Sequence, residues 1–426
     1  MFDNLKKQIR NPYVFSILTR IMMVLAAFAF TVIQARYLGS ELKGQVAVVS
    51  GYTGITSILF EFGIHQAYPY FKKQNPDRDI LPVFLRISLL FLLVNAVVSL
   101  AAILLLPLPA KFIAVLVINP FMVYNRVIAY ISLVEMPNRK NLIESLAFVA
   151  ELLLIIGLWL FAPASFVIGV GVIVFKDVVM AVAYTYHWRN KLFLPGDSVK
   201  NWIVDVLKFG FFPMLSVLMT TLNYRVDVIM LEGHVADAAI GVYSVGVSLA
   251  ERVWLIPDAM KGVLVSKVAK GKGAEEVAYV IRICNTVCLF LILGLILLGE
   301  VFIRVIFGAE YDGAYQVTLI LLIGAVFMVY YKMIAAYNIV MGKQRISFLF
   351  LLISVIGNVV ANWLLIPKMG IYGAGFASVI SYSICSLLFI VYFIRTTKTP
   401  LTQMLVLSPS DFKKLKASLT KKTKKD

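Results

Sequence analysis

Acidic residues are scarce in this chain. Across 426 residues, 23 Asp and Glu face 40 Lys and Arg, and charged residues make up only 15%, against about 25% in an ordinary soluble domain. Hydrophobic residues reach 61% and mean hydropathy is +0.88. That balance excludes a soluble globular enzyme and implies a polytopic membrane protein. Metal chemistry is equally undersupplied. The three cysteines are Cys284, Cys288 and Cys385, and the three histidines are His65, His187 and His234. Cys284 and Cys288 share a helix face, but two thiols without imidazole ligands make no zinc set, and the histidines are too far apart in sequence for a triad. Neither a metal nor a cofactor is expected. No G-x-x-x-x-G-K-[ST] loop occurs, so the chain is not expected to hydrolyse ATP.

What is abundant is apolar sequence of spanning length, about 20 residues at a time. Twelve spans are predicted, over 13–35, 46–70, 81–106, 112–134, 142–161, 166–187, 204–231, 238–260, 277–299, 315–341, 346–366 and 371–394. The polar leader MFDNLKKQIRN enters an apolar stretch too long for a signal h-region and without a small-residue cleavage site, so the first span is expected to persist. With the N-terminus inside, the inner connections hold 26 Lys and Arg and the outer ones only 5. Both termini are therefore expected in the cytoplasm of a multi-pass protein of the cell (inner) membrane. The net charge of +17 is an inside-facing bias. The tail DFKKLKASLTKKTKKD reads as a topology anchor against anionic lipid, not as a nucleic-acid footprint.

The longest polar interruption before the ninth span, HWRNKLFLPGDSVKNW (187–202), divides the spans six and six. The expected organisation is a six-helix lobe over 1–187, a cytoplasmic linker over 188–203, a second six-helix lobe over 204–394, and a basic tail over 395–426. The lobes echo one another: VIQARYLGSELKGQVAVV (32–49) and VIMLEGHVADAAIGVYSV (228–245) each run from an apolar end through a short polar loop to Gly and an apolar restart. Duplicated lobes commonly enclose a midplane site. Pro120, Pro213 and Pro257 are expected to interrupt their helices and to favour bending.

A charge in hydrocarbon costs at least ~2.5–3.5 kcal/mol on insertion scales, so each buried charge needs a reason. Counting from the turns places Arg20 level with Glu61, and Arg126, Glu151 and Lys176 in one layer. Arg86, Lys208 and Arg282 lie close enough to the inner surface to snorkel. Lys332 has no acid at its level in its own helix. In NYRVDVIMLEG (223–233), Arg225 and Asp227 point some 200° apart, and in VSLAERVWLIPD the neighbours Glu251 and Arg252 point about 100° apart. Each therefore needs its own environment, and at least one of each couple is expected to face an aqueous cavity.

RYLGSELKGQ after the first span, FEFGIHQAYPYFKK closing the second, and NYRVDVIMLEG…IGVYSV across the seventh and eighth resemble the polysaccharide flippases. So do IFGAEYDGA before the tenth span and GNVVANWLLIPKMGIYGAGFASVIS across the last two. This is the Wzx-type O-antigen, capsule and exopolysaccharide repeat-unit branch of the multidrug/oligosaccharidyl-lipid/polysaccharide exporter (MOP) superfamily. The similarity covers residues 13–395, departing at VLVSKVAKG, where Ser266 stands in place of the family's usual proline. The resemblance implies an all-α protein of two pseudo-symmetric six-helix lobes in a V, working by alternating access. It also implies carriage of a polyprenyl-diphosphate-linked oligosaccharide to the outer leaflet, driven by membrane potential, ion exchange or both. Twelve spans instead of fourteen favour a repeat-unit flippase over the related lipid II flippase.

Arginine forks match phosphate oxygens, which nominates Arg20, Arg126, Arg225 and Arg252 for the diphosphate. Asn125, Asn223, Tyr224 and Tyr243 are the candidates for the sugar. Glu61, Asp227 and Glu251 are the candidates for coupling to H+ or Na+. Expected partners are the lipid-linked oligosaccharide, membrane lipids and other polysaccharide assembly proteins. The rival readings are an ion-coupled drug or metabolite exporter of the same superfamily and, from another class, a membrane glycan polymerase or ligase. A substantial external catalytic loop is what the second would need. The longest outer loop, GEVFIRVIFGAEYDGAYQ (299–316), is merely amphipathic, so a transporter and not an enzyme is expected.

Overall fold

The computed structural model describes residues 12–194, 197–271, 273–407 and 411. The polar leader and most of the lysine-rich tail fall outside these. Among the described residues the fold is all-helical, with one isolated bridge between Glu232 and Val235 and no strand. Among the described residues ten helices are long and apolar enough to cross a membrane. Two of them are far too long to be single spans: Leu18–Glu61 has 44 residues and Gln344–Thr397 has 54, about 66 and 81 Å at 1.5 Å per residue, against a hydrocarbon core of about 30 Å. Each contains one non-helical glycine, Gly39 (φ 72°, ψ 172°) and Gly370 (φ 54°, ψ −130°). A positive φ is open to glycine at little cost, and at these two points one continuous apolar run becomes two arms. The twelve spans read from the sequence are thereby accounted for.

Two spans are broken before their predicted ends. The span predicted over 46–70 ends at Glu61; Phe62 (φ 57°) and Gly63 (φ 70°) turn the chain, a 3-10 turn covers Ile64–Gln66, and a short helix runs Ala67–Gln74. A bulky residue at positive φ is an outlier that surrounding structure must enforce. The span predicted over 238–260 is Asp237–Glu251, a 3-10 turn at Arg252–Trp254, and then Leu255–Ala269. Its break comes at Arg252, not at Pro257, which sits at the third residue of the new helix, where a missing N–H costs little. Pro120 and Pro213, expected to interrupt, lie inside Ala110–Glu135 and Val199–Leu231, which continue through them.

The chain packs as two compact units, Met1–Val242 with Ile306–Glu310, and Tyr243–Val305 with Tyr311–Asp426. In the first, glycines let backbones approach closely, as small residues do in membrane helices. A Cβ on Gly44 would lie 1.8 Å from the Asp237 carbonyl oxygen, and one on Gly241 would lie 1.9 Å from that of Ser40. The contact is reciprocal: Gly44 and Gly241 are 197 residues apart, and so are Ser40 and Asp237, so the two echoing loops meet through equivalent positions. A second such approach joins Gly63 and Gly210. The restart after Gly39 is capped by Glu310, whose carboxylate accepts from the Ser40 amide at 2.9 Å, an acid at a helix N-terminus. Arg36 Nε donates to the Ile306 carbonyl at 2.7 Å. One buried core gathers Tyr37, Val49, Ile118 and Ile155; the other gathers Tyr68, Phe84, Tyr184 and Trp188.

In the second unit Trp254 Nε1 donates to the Ala325 carbonyl at 3.0 Å and its ring meets Tyr382 edge-on. Met328, Phe389 and Phe393 are fully buried. The chain beyond Thr397 turns back onto Ala274–Ile306: Asn285 Nδ2 donates to the Met404 and Leu405 carbonyls at 3.1 and 3.0 Å, and Met404 is fully buried.

Candidate substrate and ion site

The break at Phe62–Gly63 organises a polar group inside the first unit. Glu61 is the last residue of its helix, 1% exposed. Its Oε1 accepts from the His65 backbone N–H at 3.0 Å and contacts His65 Nδ1, so the carboxylate caps the 3-10 turn that restarts the chain. Its Oε2 accepts from Arg126 at 3.2 Å, and Arg126 also reaches Ser57 Oγ at 3.3 Å. The far ring nitrogen of His65 lies 3.0 Å from Gln66 Nε2, and the ring stands edge-on to Tyr130. Arg126 keeps 23% of its side chain exposed. The result is an acid, a base and an imidazole in contact at a helix break, with one charged member still open.

Two expected pairings change. Arg20 was placed level with Glu61, but it is exposed, and Glu61 is held by Arg126 and His65 instead. The residues around Arg20, namely Leu18, Ile21, Met22 and Leu25, line an open apolar groove with Leu152. Arg126 consequently leaves the expected layer with Glu151 and Lys176. Those two do meet, at 3.5 Å, an ion-pair separation beyond the usual hydrogen-bond range, and both Glu151 oxygens are buried with no hydrogen-bond partner among the described residues. Lys43 and Asp177 are near enough to act on Glu151 electrostatically. The neighbour of Arg126, Asn125, points elsewhere: it is buried and its amide donates to the Asp177 carbonyl at 2.8 Å. Depth counting brought Glu151 to Lys176, as observed, but could not say which partners Arg20 and Arg126 face.

On Val199–Leu231, Asn223 and Asp227 are buried while Tyr224 and Arg225 are half-buried. Asp227 Oδ1 accepts from the Val228 amide at 2.7 Å. In the second unit Tyr243 is fully buried, and Glu251 and Arg252 are half-buried at the junction of α-helix with 3-10 turn. Tightening to three residues per turn there changes the angle between successive side chains, so the 100° reckoned from a regular helix does not hold for this couple.

Sequence reasoning missed three residues. His65 and Ser57 complete the Glu61 group. Asp258 receives Lys332 at 2.7 Å, with the ammonium 4.9 Å above the Trp254 ring. The acid that Lys332 lacked in its own helix is thus supplied by another. The repeat carried the signal: Glu61 and Asp258 are 197 positions apart, the same separation as Gly44 and Gly241. Each second helix of a half ends its regular run near an acid, and a cation from the fourth helix of that half meets it.

A profile of polysaccharide biosynthesis proteins matches residues 13–253. No curated protein sequence matches. Among solved structures, the chain is similar to the lipid II flippase MurJ in an inward closed conformation, at 17% identity and a TM-score of 0.70, over 92% of this chain and 89% of that one. It is similar to an inward-facing multidrug resistance MATE family transporter of the MOP superfamily at 16% identity and a TM-score of 0.64, over 90% and 98%. A MATE structure in a bent conformation gives 15% and 0.60, over 91% and 96%. At these identities the likeness establishes the fold.

Proposed function

The chain belongs to the polysaccharide biosynthesis protein family, and from that premise we propose that it is a flippase for a polyprenyl-diphosphate-linked glycan unit. It carries the unit from the cytoplasmic to the outer leaflet by alternating access. The observation that carries this reading is Arg126, a guanidinium retained among apolar spans, held on one side by Glu61 and open on the other. Such a group matches phosphate oxygens in a fork and stays charged at any relevant pH. Arg225, half-buried on its helix, extends the phosphate site, while Tyr224 and Asn223 meet the sugar; Arg252, half-buried in the second unit, is a phosphate candidate in its own right. Glu61 is the coupling acid: a phosphate that draws Arg126 away leaves the carboxylate to take up a proton or sodium ion, and His65 is placed to share the proton. The polyprenyl chain stays in lipid.

An inside-negative potential of about 100 mV contributes roughly 2.3 kcal/mol per charge. Two phosphate charges crossing the full field would gain about 4–5 kcal/mol, enough to bias movement outward without ATP. The test is transfer of a fluorescent polyprenyl-diphosphate oligosaccharide in proteoliposomes containing the purified chain. Potential-dependent transfer is the expected result. Efflux of small cations without transfer of the lipid-linked sugar would replace the flippase by a drug exporter, and elongation of the glycan would replace it by a polymerase.

A further inference from the structure

Each half of the chain has an arginine near the start of its third spanning helix, and the two are 196 positions apart: Arg86 on Leu81–Leu105 and Arg282 on Ala274–Ile306. Each holds the segment that follows the sixth helix of its half. Arg282 does so as an ion pair, with Nε and one terminal nitrogen on the two oxygens of Asp411 at 2.8 and 2.9 Å. Its charge is cancelled. Arg86 holds its segment through carbonyls alone, those of Leu192, Leu194 and Asp197. No carboxylate among the described residues lies within ion-pair distance of it. Backbone carbonyls satisfy N–H groups but leave the formal charge standing.

Arg86 lines an open cleft of about 560 Å³ together with Leu89, Leu90, Leu93, Leu192 and Phe193. Leu93 is 54% and Phe193 84% exposed. Arg86 is five residues into its helix, about 7.5 Å along the axis, on the side that the Lys/Arg count assigns to the cytoplasm. A cation at that depth, beside the exposed leucines Leu90 and Leu93, combines what a phosphodiester and its acyl chains need, and the volume is that of a small-ligand site. We infer that this cleft binds the headgroup phosphate of an anionic phospholipid of the cytoplasmic leaflet, using Arg86 as counter-ion. Bound lipid supplies the charge that Asp411 supplies in the other half. The cleft shares no residue with the group around Glu61, and its measurement does not depend on transport.

The test is native mass spectrometry of the full chain, delipidated in detergent and titrated with phosphatidylglycerol or phosphatidylcholine. The parent should retain one phosphatidylglycerol about tenfold more tightly than phosphatidylcholine, the scale of one charge-assisted contact. Arg86→Gln should abolish that preference. Because Arg86 also holds the carbonyls of Leu192, Leu194 and Asp197, Phe193→Glu provides a second variant that leaves those bonds intact and sets an anion in the cleft; it should lose the preference too, while Phe193→Leu keeps it. Triple Lys413→Gln, Lys414→Gln, Lys416→Gln should leave the tightly held lipid in place. The inference is overturned if Arg86→Gln and Phe193→Glu bind phosphatidylglycerol like the parent, or if the tail variant removes it. Displacement by an equal concentration of polyprenyl phosphate would assign the cleft to the transported lipid and overturn it as well.

Discussion

Replacing Arg126 by Gln should destabilise the protein more than replacing Glu61 by Gln, although the two are partners in one ion pair. The reason is their unequal burial. Glu61 is 1% exposed and Arg126 23%. Taking away the guanidinium leaves a carboxylate sealed from water, and breaking a fully buried pair this way costs about 3–5 kcal/mol. Partial exposure of Arg126 screens the pair, which lowers the expected cost of Arg126→Gln to about 2–3 kcal/mol. Taking away the carboxylate instead leaves a guanidinium that still touches Ser57 and can reach water, so Glu61→Gln should cost about 1 kcal/mol. The double variant removes both charges and should be less damaged than the sum by about 1–2 kcal/mol. Equilibrium unfolding of the four proteins in mixed micelles of rising SDS fraction would give the cycle. Equal single costs, or strict additivity, would mean that the contact at 3.2 Å carries no coupling and that Glu61 is stabilised by His65 alone.

The remaining expectations concern packing, orientation and the phosphate site. Gly44→Val and Gly241→Val should abolish stable insertion, since a Cβ at either position would lie under 2 Å from a carbonyl oxygen, whereas Gly157→Ala, with nothing within 4 Å, should be silent; membrane yield and thermal stability in detergent read both. Cysteines introduced at His234 and Asp312 should react with impermeant thiol reagents on intact cells and one at Gly273 should not, and labelling at Gly273 would invert the topology. Arg225→Ala and Arg252→Ala should each remove most transfer in proteoliposomes at unchanged protein content, and Arg225→Lys should restore only part, because an ammonium keeps charge and loses the fork. Parental rates in both alanine variants would move the phosphate site away from these helices.

Composition and apolar run length by themselves determined that the chain is a twelve-span membrane protein. The physics of spanning depends on local sequence: about 20 apolar residues satisfy their own backbone whatever surrounds them. The fold-back at Gly39 was likewise legible as a short polar loop between apolar arms. Which charges meet was not. Arg126 and Glu151 were read at one level, yet Arg126 turns to Glu61 and Glu151 to Lys176, because depth is set along one helix while facing is set by how several pack. The break at Phe62 was invisible for a related reason. No local propensity puts a phenylalanine at φ 57°; the close approach of Gly63 to Gly210, 147 residues later, holds the chain there. His65 and Asp258 became site residues only once that break, and its counterpart at Arg252, had turned them toward their partners. The sequence specifies the spans one at a time, and tertiary packing alone decides which of their polar faces look at one another.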